Sequence, residues 1–337
     1  LLSYTGNLIA TTAILFVMDP TWLLVLAAVT GLFEGGHAII GPPFMAEQSR
    51  ADERVQLFSL NSGIQVAAAS FGNLAAGVLP FLFAGLFGVG ADGALARRAA
   101  LVCALPIMLG PMIPIYLIRE EWKPVSLRQW ARDLQSYGRI GMLALTEGLI
   151  GFGMGFSAPF FNIFFERNLK ASTDQIGLIF AAASVLTAAA TLFVPIVVAR
   201  LGKVRTVTLI KLLGVPALIL MGTSQSVAAA GFFYVLAILC MGGPFPNRGV
   251  SDPIYSLFSM EVVKERERGT TNGLMHAFSE FPMGIGAAIS GRYMALGDWQ
   301  TPYTFGALVL ATAFVLYYVY FARLDGREPV LEPARAG

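Results

Sequence analysis

The chain has 337 residues, of which 56% are hydrophobic and 13% charged, with a formal net charge of +2 and a mean hydropathy of +0.67. Soluble domains carry about a quarter charged residues, so too little polar surface is present to clothe a water-facing exterior. Lipid is expected to cover most of it. The near-neutral charge gives no sign of nucleic acid as a partner.

A membrane-crossing helix needs about 20 mainly apolar residues. Ten such segments are expected, at 1–18, 21–45, 56–84, 99–118, 140–165, 176–198, 206–222, 228–259, 270–295 and 302–322. Turn chemistry separates them at Asp19-Pro20, from Gly88 to Gly93, and from Asp298 to Pro302. Cys103 and Cys240 lie in apolar runs and read as buried thiols without a disulfide framework. No Asn-x-Ser/Thr sequon occurs, which fits a bacterial inner membrane. The chain opens on Leu1-Leu2 inside an apolar run, unlike a signal peptide, and a truncated start is expected.

Basic residues cluster at alternate junctions. One side holds Arg50, Arg54, Arg119, Lys123, Arg128, Arg132, Arg139, Arg200, Lys203, Arg205, Lys211, Lys264, Arg266 and Arg268, and the tail adds Arg323, Arg327 and Arg335. The other side holds only Arg97, Arg98, Arg167, Lys170 and Arg292. The positive-inside rule then places both chain ends in the cytoplasm. The longest cytoplasmic connection, 119–139, carries Ser126 and Gln129 in a capping-box pattern and reads as a short helix at the membrane surface. It divides an N-terminal four-span half (1–118) from a C-terminal six-helix bundle (140–322), followed by a tail at 323–337.

Ionisable groups at membrane depth are costly and so are functional candidates. In chain order they begin with Glu34 and His37 in the second segment, framed by Gly31, Gly35, Gly36 and Gly41. The third segment offers Asn61, Gln65 and Asn73. Glu147 in the fifth stands near the cytoplasmic end and reads as a gate or rim group. That segment ends on Pro159, which should kink it, and on Asn162 among four phenylalanines, a candidate substrate contact. An interfacial aromatic belt is the competing reading for Phe164 and Phe165. The eighth segment holds Arg248 and Asp252 among Gly242, Gly243, Pro244, Pro246 and Gly249. The ninth places His276 and Glu280 four residues apart on one helix face, where they can relay protons or simply bond to each other.

A repeat at a constant offset of 214 residues organises these positions. Glu47 and Arg54 match Glu261 and Arg268, Gly72 and Gly77 match Gly286 and Gly291, and Gly35 matches Gly249. Six spans separate the copies, so the two halves run in parallel. The same offset sets Glu34 opposite Arg248, each thirteen residues and about 20 Å from its rim carboxylate, near the bilayer midplane. These two either bind substrate or a proton, or lock the halves together as an ion pair.

On these residues the chain resembles the major facilitator superfamily (MFS). The loop Pro195-Ile196-Val197-Val198-Ala199-Arg200-Leu201-Gly202-Lys203-Val204-Arg205 is similar to that family's Gly-x3-Asp-Arg-x-Gly-Arg/Lys-Arg/Lys motif, with Pro for the leading Gly and Ala for the Asp. The resemblance implies an all-α membrane fold with ten of twelve transmembrane helices present, in two parallel six-helix repeats, the first lacking two helices. It further implies a central cavity lined by the second and eighth segments and a cytoplasmic latch at the loop. The antiporter pattern Gly-Pro-x2-Gly-Gly is incomplete in Gly72-Asn73-Leu74-Ala75-Ala76-Gly77, so the direction of transport is left open.

The expected function is secondary active transport of a small organic solute across the cytoplasmic membrane by alternating access, in a monomer without cofactor and with protons as a possible coupling ion. Substrate would meet Glu34, His37, Asn162, Arg248 and Asp252. Protons would use Glu34, His276 and Glu280. The cytoplasmic gate would comprise Glu47, Arg54, Glu147, Arg200, Lys203, Glu261 and Arg268. A non-transporting receptor or scaffold, or an inactive fragment, is the alternative. A membrane-embedded enzyme fits least, because no His-Glu-x2-His, paired-Asp or phosphate-loop motif is present.

Overall fold

The computed structural model describes residues 2–50, 52–88, 94–117, 135–242 and 249–325. Among these residues the secondary structure is entirely helical. The chain divides into two compact units: Leu1–Gly41 with Gly72–Leu134, and Pro42–Phe71 with Gln135–Gly337.

The first unit contains α1 (Leu2–Ile14), most of α2 (Pro20–Glu47), the second half of α3 (Arg54–Phe87), α4 (Ala94–Leu109) and α5 (Met112–Leu117). The Asp19-Pro20 break works as a helix start. The Asp19 carboxylate accepts the backbone N–H groups of Thr21 and Trp22 at 2.9 and 3.1 Å, while Pro20 fills the first turn, where no N–H is needed. The face of α1 at Gly6 lies against the Phe33 ring of α2, and Tyr4 donates to the Met108 carbonyl of α4 at 2.5 Å.

The second unit is built on α6 (Tyr137–Gly155) and α12 (Arg268–Ala295), which lie closely side by side. Glycines permit that approach. A Cβ at Gly151 would stand 2.0 Å from the Ser279 carbonyl oxygen, and one at Gly155 would stand 2.2 Å from that of Met283. Gly286 on α12 returns the contact, 2.4 Å from the Phe152 oxygen. Small residues one turn apart are how helices meet where lipid supplies no hydrophobic drive.

Beyond Gly155 the helix is interrupted. Pro159 sits in a 3₁₀ turn, Ala158–Phe160, and a π-helical turn, Phe164–Asn168, closes the segment. Proline removes an N–H and obstructs the preceding turn, so the break falls where its chemistry requires. Phe161, Phe164 and Phe165 turn inward against Tyr234 and Tyr303, in the unit's main apolar core. Phe164 and Phe165 are thus core residues rather than an interfacial belt, since both are fully buried.

α7 (Thr173–Thr191) begins on a capping box made by Ser172 and Gln175 and bends by 50° into α8 (Val194–Leu201), where Pro195 stands at the start. α9 (Lys203–Thr223), α10 (Val227–Met241), α11 (Asp252–Glu261) and α13 (Gln300–Phe321) complete the unit. The eighth apolar segment, expected to run unbroken over 228–259, is therefore two helices. α10 stops on Gly242 (φ 84°) and α11 restarts at Asp252-Pro253.

Three helices are long and apolar enough to cross a membrane, namely Tyr137–Asn168, Lys203–Thr223 and Gln300–Leu324, and the bent α7–α8 pair makes up to four among the described residues. A break leaves one further segment short by this measure. α10 is 15 residues before Gly242 ends it. The expected surface helix at 126–137 lies almost wholly outside the described residues. Of the two cysteines, Cys240 is buried and Cys103 is exposed, so the expectation of burial is corrected for Cys103.

Candidate functional site

A cavity of about 300 Å³ opens within the second unit. Four helices place charged or titratable groups on its wall. Glu147 comes from α6, Lys211 from α9, Asp252 from the start of α11, and His276 and Glu280 from α12, with Gln65 of α3 opposite. Apolar side chains, chiefly Ile150, Met154, Met241, Met275 and Phe314, share the rest with polar ones such as Ser259, Asn272 and Ser279.

The centre of this arrangement is an ion pair. Lys211 is buried at 5% exposure, and its ammonium donates to the Asp252 carboxylate and, at 2.8 Å, to the Met241 carbonyl that ends α10. The second Asp252 oxygen accepts the Gly249 N–H at 2.6 Å. Taking either charge out of water alone would cost several kcal/mol, so each requires the other. Glu147 is close enough to interact with both, and the hydroxyls of Tyr255 and Ser279 face its carboxyl group.

Sequence reasoning counted Lys211 among the junction residues. It lies eight residues past the start of α9 at Lys203, about 12 Å inside the helix. Its position within the apolar segment 206–222 was the available signal. Glu147, expected at the rim, is ten residues into α6, because that helix starts at Tyr137 and not at 140. It stands on the cavity wall beside Asp252, whereas the residues expected to seal the gate lie elsewhere.

The remaining candidates fall in several places. Asp252, His276 and Glu280 come together on the cavity wall. Asn162 is exposed, facing away from the aromatic core made by its neighbours. Glu34 is exposed on α2 in the first unit. His37 lies on α2 with its side chain outside the described set, and Arg248 lies outside the described residues altogether.

Several residues expected at the gate form a second charged centre. Arg54 and Arg268, equivalent in the 214-residue repeat, are both buried, and each directs Nε to a helix-end carbonyl: Ser49 at 3.3 Å and Met260 at 2.9 Å. Glu265, Glu47 and Glu261 attract the Arg268 charge, and Arg54 repels it. Between them lie Ala46, Phe58, Leu257 and Met260, so the two repeats meet in one apolar cluster. Lys203 of the loop motif is ion-paired with Glu261, while Arg200 is exposed.

The loop that carries Ala199 in place of the motif's Asp meets a carboxylate from elsewhere in the chain. Asp325, just past α13, accepts the backbone N–H groups of Lys203, Val204 and Arg205 at 3.0, 3.0 and 3.4 Å. It therefore caps the start of α9, where Gly202 (φ 83°) brings the carboxylate within 2.7 Å of where a Cβ would stand. Nothing in the local sequence links Asp325 to residue 203.

Apolar helices long enough to span a bilayer, broken spans and a charged cavity between them define a multi-pass helical membrane protein. A family model described as Major Facilitator Superfamily matches residues 143–337, and the chain belongs to that superfamily of transporters. The family is one of transporters and not of enzymes. Among solved structures, the fold is similar to the human organic anion transporter MFSD10 (TETRAN), at 16% identity and a TM-score of 0.62, over 94% of this chain and 75% of that one. The E. coli fucose:proton symporter FucP matches at 14% identity and a TM-score of 0.59, over 94% and 83% of the two chains. A bacterial homologue of the iron transporter ferroportin, in an outward-facing state, matches at 16% identity and a TM-score of 0.63, over 95% and 83%. At these identities the likeness is one of fold. A comparison with curated proteins finds no match to the chain.

Proposed function

We propose that this chain is a secondary active transporter that carries a small organic solute through the cavity bounded by Glu147, Lys211, Asp252, His276 and Glu280. One observation supports the reading above others. Five ionisable groups face a single cavity inside a membrane protein of a transporter family, and such groups are retained at membrane depth where they act on a substrate or a proton. The cavity's size is at the lower end of small-molecule sites.

The mechanism is alternating access by ten spans in two parallel sets, the first of four and the second of six, with both chain ends on the cytoplasmic side of the cell membrane. Glu34, His37, Arg248 and Asn162 belong to the substrate path in this reading. Arg54, Arg268, Glu47, Glu261, Lys203 and Arg200 form the cytoplasmic gate. Protons are the coupling ion, taken up by Glu147 and by the His276–Glu280 pair one turn apart on α12. The three similar structures carry an organic anion transporter, a fucose:proton symporter and a homologue of an iron transporter, so fold likeness does not select the cargo.

The test is solute uptake by proteoliposomes with and without an imposed pH gradient, across a panel of labelled sugars, organic acids and amines. An inward-acid gradient is expected to drive uptake, and Glu147→Gln and Glu280→Gln are expected to reduce the driven flux about ten-fold or more while sparing exchange. Flux that ignores the gradient in wild type would remove protons from the mechanism.

A further inference from the structure

The cavity contains an arrangement that transport in general does not require. α10 ends on Gly242, and the chain returns at Gly249 so closely that a Cβ there would stand 2.7 Å from the Gly242 nitrogen. The carbonyl of Met241 stands at the negative end of α10. The Lys211 ammonium fills that position at 2.8 Å. Its other contacts are the Asp252 carboxylate and the face of Phe314, 5.8 Å from Nζ to the ring centroid. A carboxylate, a helix-end carbonyl and an aromatic face together are what a protein uses to hold an ammonium ion.

The occupant of this nest is tethered by a flexible four-carbon stem. Asp252 is not sealed beneath it, since 25% of its side chain stays exposed and it lines the cavity. Lys211 is the one lysine or arginine among the described lining residues, and both Glu147 and Asp252 act on it. His276 and Glu280 on α12 and Tyr255 on α11 are the other titratable groups there. Among the described residues no group of three or more His, Cys, Asp or Glu is placed to hold a metal ion. The nest therefore suits an organic cation, whose apolar part would lie against Ile150 and Met154.

We propose that Lys211 is the resident occupant of a binding site for organic ammonium ions. A small amine ligand displaces the lysine from Asp252, the Met241 carbonyl and the Phe314 ring. This deepens the transport reading and rests on it in one respect, that the cavity is the substrate site.

The experiment is calorimetric titration of the purified full chain in lipid nanodiscs. The probes are benzylammonium and, as an anion of similar shape, benzoate. An occupant that fills its site about nine-tenths of the time weakens a competitor about ten-fold. Lys211→Met is therefore expected to bind benzylammonium about ten-fold more tightly than wild type. Combining it with Asp252→Asn is expected to abolish the gain, and benzoate is expected to gain nothing. Loss of benzylammonium binding in Lys211→Met, or benzoate binding that depends on Lys211, would overturn the proposal and make the lysine a ligand for anions.

Should Lys211→Met not fold, the wild-type chain decides. Benzylammonium at millimolar concentration raises its melting temperature and benzoate does not; no shift, or a shift with benzoate alone, overturns the site. Proteoliposome flux separates the two readings. Amine binding without flux of any solute retains the site and removes the transport reading, whereas driven flux of another solute without amine binding does the reverse.

Discussion

Lys211 and Asp252 illustrate how much a single buried charge constrains its surroundings. Asp252→Asn leaves the Lys211 ammonium inside the bundle without its ion-pair partner, a loss of about 3–5 kcal/mol when one partner of a buried pair is removed. The double variant Lys211→Met with Asp252→Asn is expected to recover most of that loss. Melting temperatures in one detergent check both statements, and a single variant as stable as wild type would show that the pair is not mutually dependent. A different carboxylate sets a pH limit. Glu267, in the turn between α11 and α12 and outside the spans, would be pushed up by burial. The N–H groups of Gln135, Ser136 and Lys264 and the Ser136 hydroxyl hold it below its ordinary 4.5 instead. A depressed folded value means the stabilisation is complete above pH 4.5 and is lost as pH falls through that lower value. Thermal unfolding between pH 6 and 3 is expected to show this decline in wild type, with a smaller slope in Glu267→Gln. At this scale the sequence revealed the cavity's Asp252, His276 and Glu280 because a charge inside an apolar run is costly and conspicuous. Lys211 escaped because a lysine near the end of a span looks like a junction residue until the helix start is known. Asp325 escaped because its partners are more than a hundred residues away in sequence.

Helix breaks and helix seams were unequally legible, and the physics of each explains why. Pro159 announces its interruption locally, and a 3₁₀ turn falls there, whereas the 50° bend before Pro195 divides a segment expected to run unbroken over 176–198. The break at Gly242 was harder to read, because glycine serves equally as a packing residue and as a positive-φ stop, and the apolar run continues past it. The α6–α12 seam lay in the same ambiguity. Gly286 was marked through its repeat partner Gly72, but among the described residues nothing lies within 4 Å of a Cβ at Gly72, while Gly286 meets the Phe152 oxygen at 2.4 Å. Sequence equivalence therefore did not mean equal packing. The seam makes a prediction of opposite signs along one helix. Gly151→Ala forces a methyl against the Ser279 backbone at 2.0 Å and is expected to cost about 1–3 kcal/mol. Gly141→Ala, on the same helix with open space around it, is expected to be neutral or to stabilise by up to about 1 kcal/mol. Thermal denaturation of the two variants side by side measures the difference. Equal effects would mean that α6 and α12 part readily at Gly151.

Across the whole chain, the repeat is the feature that joins composition to mechanism. An offset read from a few glycines and a Glu-x6-Arg pair becomes, in three dimensions, two buried arginines performing one task. Arg54 and Arg268 tie the ends of consecutive helices together through backbone carbonyls, and the residues between them, Ala46 and Met260, are themselves repeat equivalents in one cluster. A seal of the kind proposed should respond symmetrically. A charged hydrogen bond contributes about 1.5–3 kcal/mol, so Arg54→Ala or Arg268→Ala alone is expected to shift the closed–open balance at that end about ten-fold or more. Because both arginines act on the same cluster, the double variant is expected to do less than the sum of the two. Ser259, buried on α11 and lining the cavity, provides the readout. In a Cys103→Ser, Cys240→Ser background, a Ser259→Cys reporter is expected to react with a maleimide slowly in the otherwise unaltered chain and about ten-fold faster in either arginine variant. The double variant is expected to add only a little more. Strictly additive rates would make the two arginines independent anchors, and unchanged rates would show that the seal is held by the apolar cluster alone.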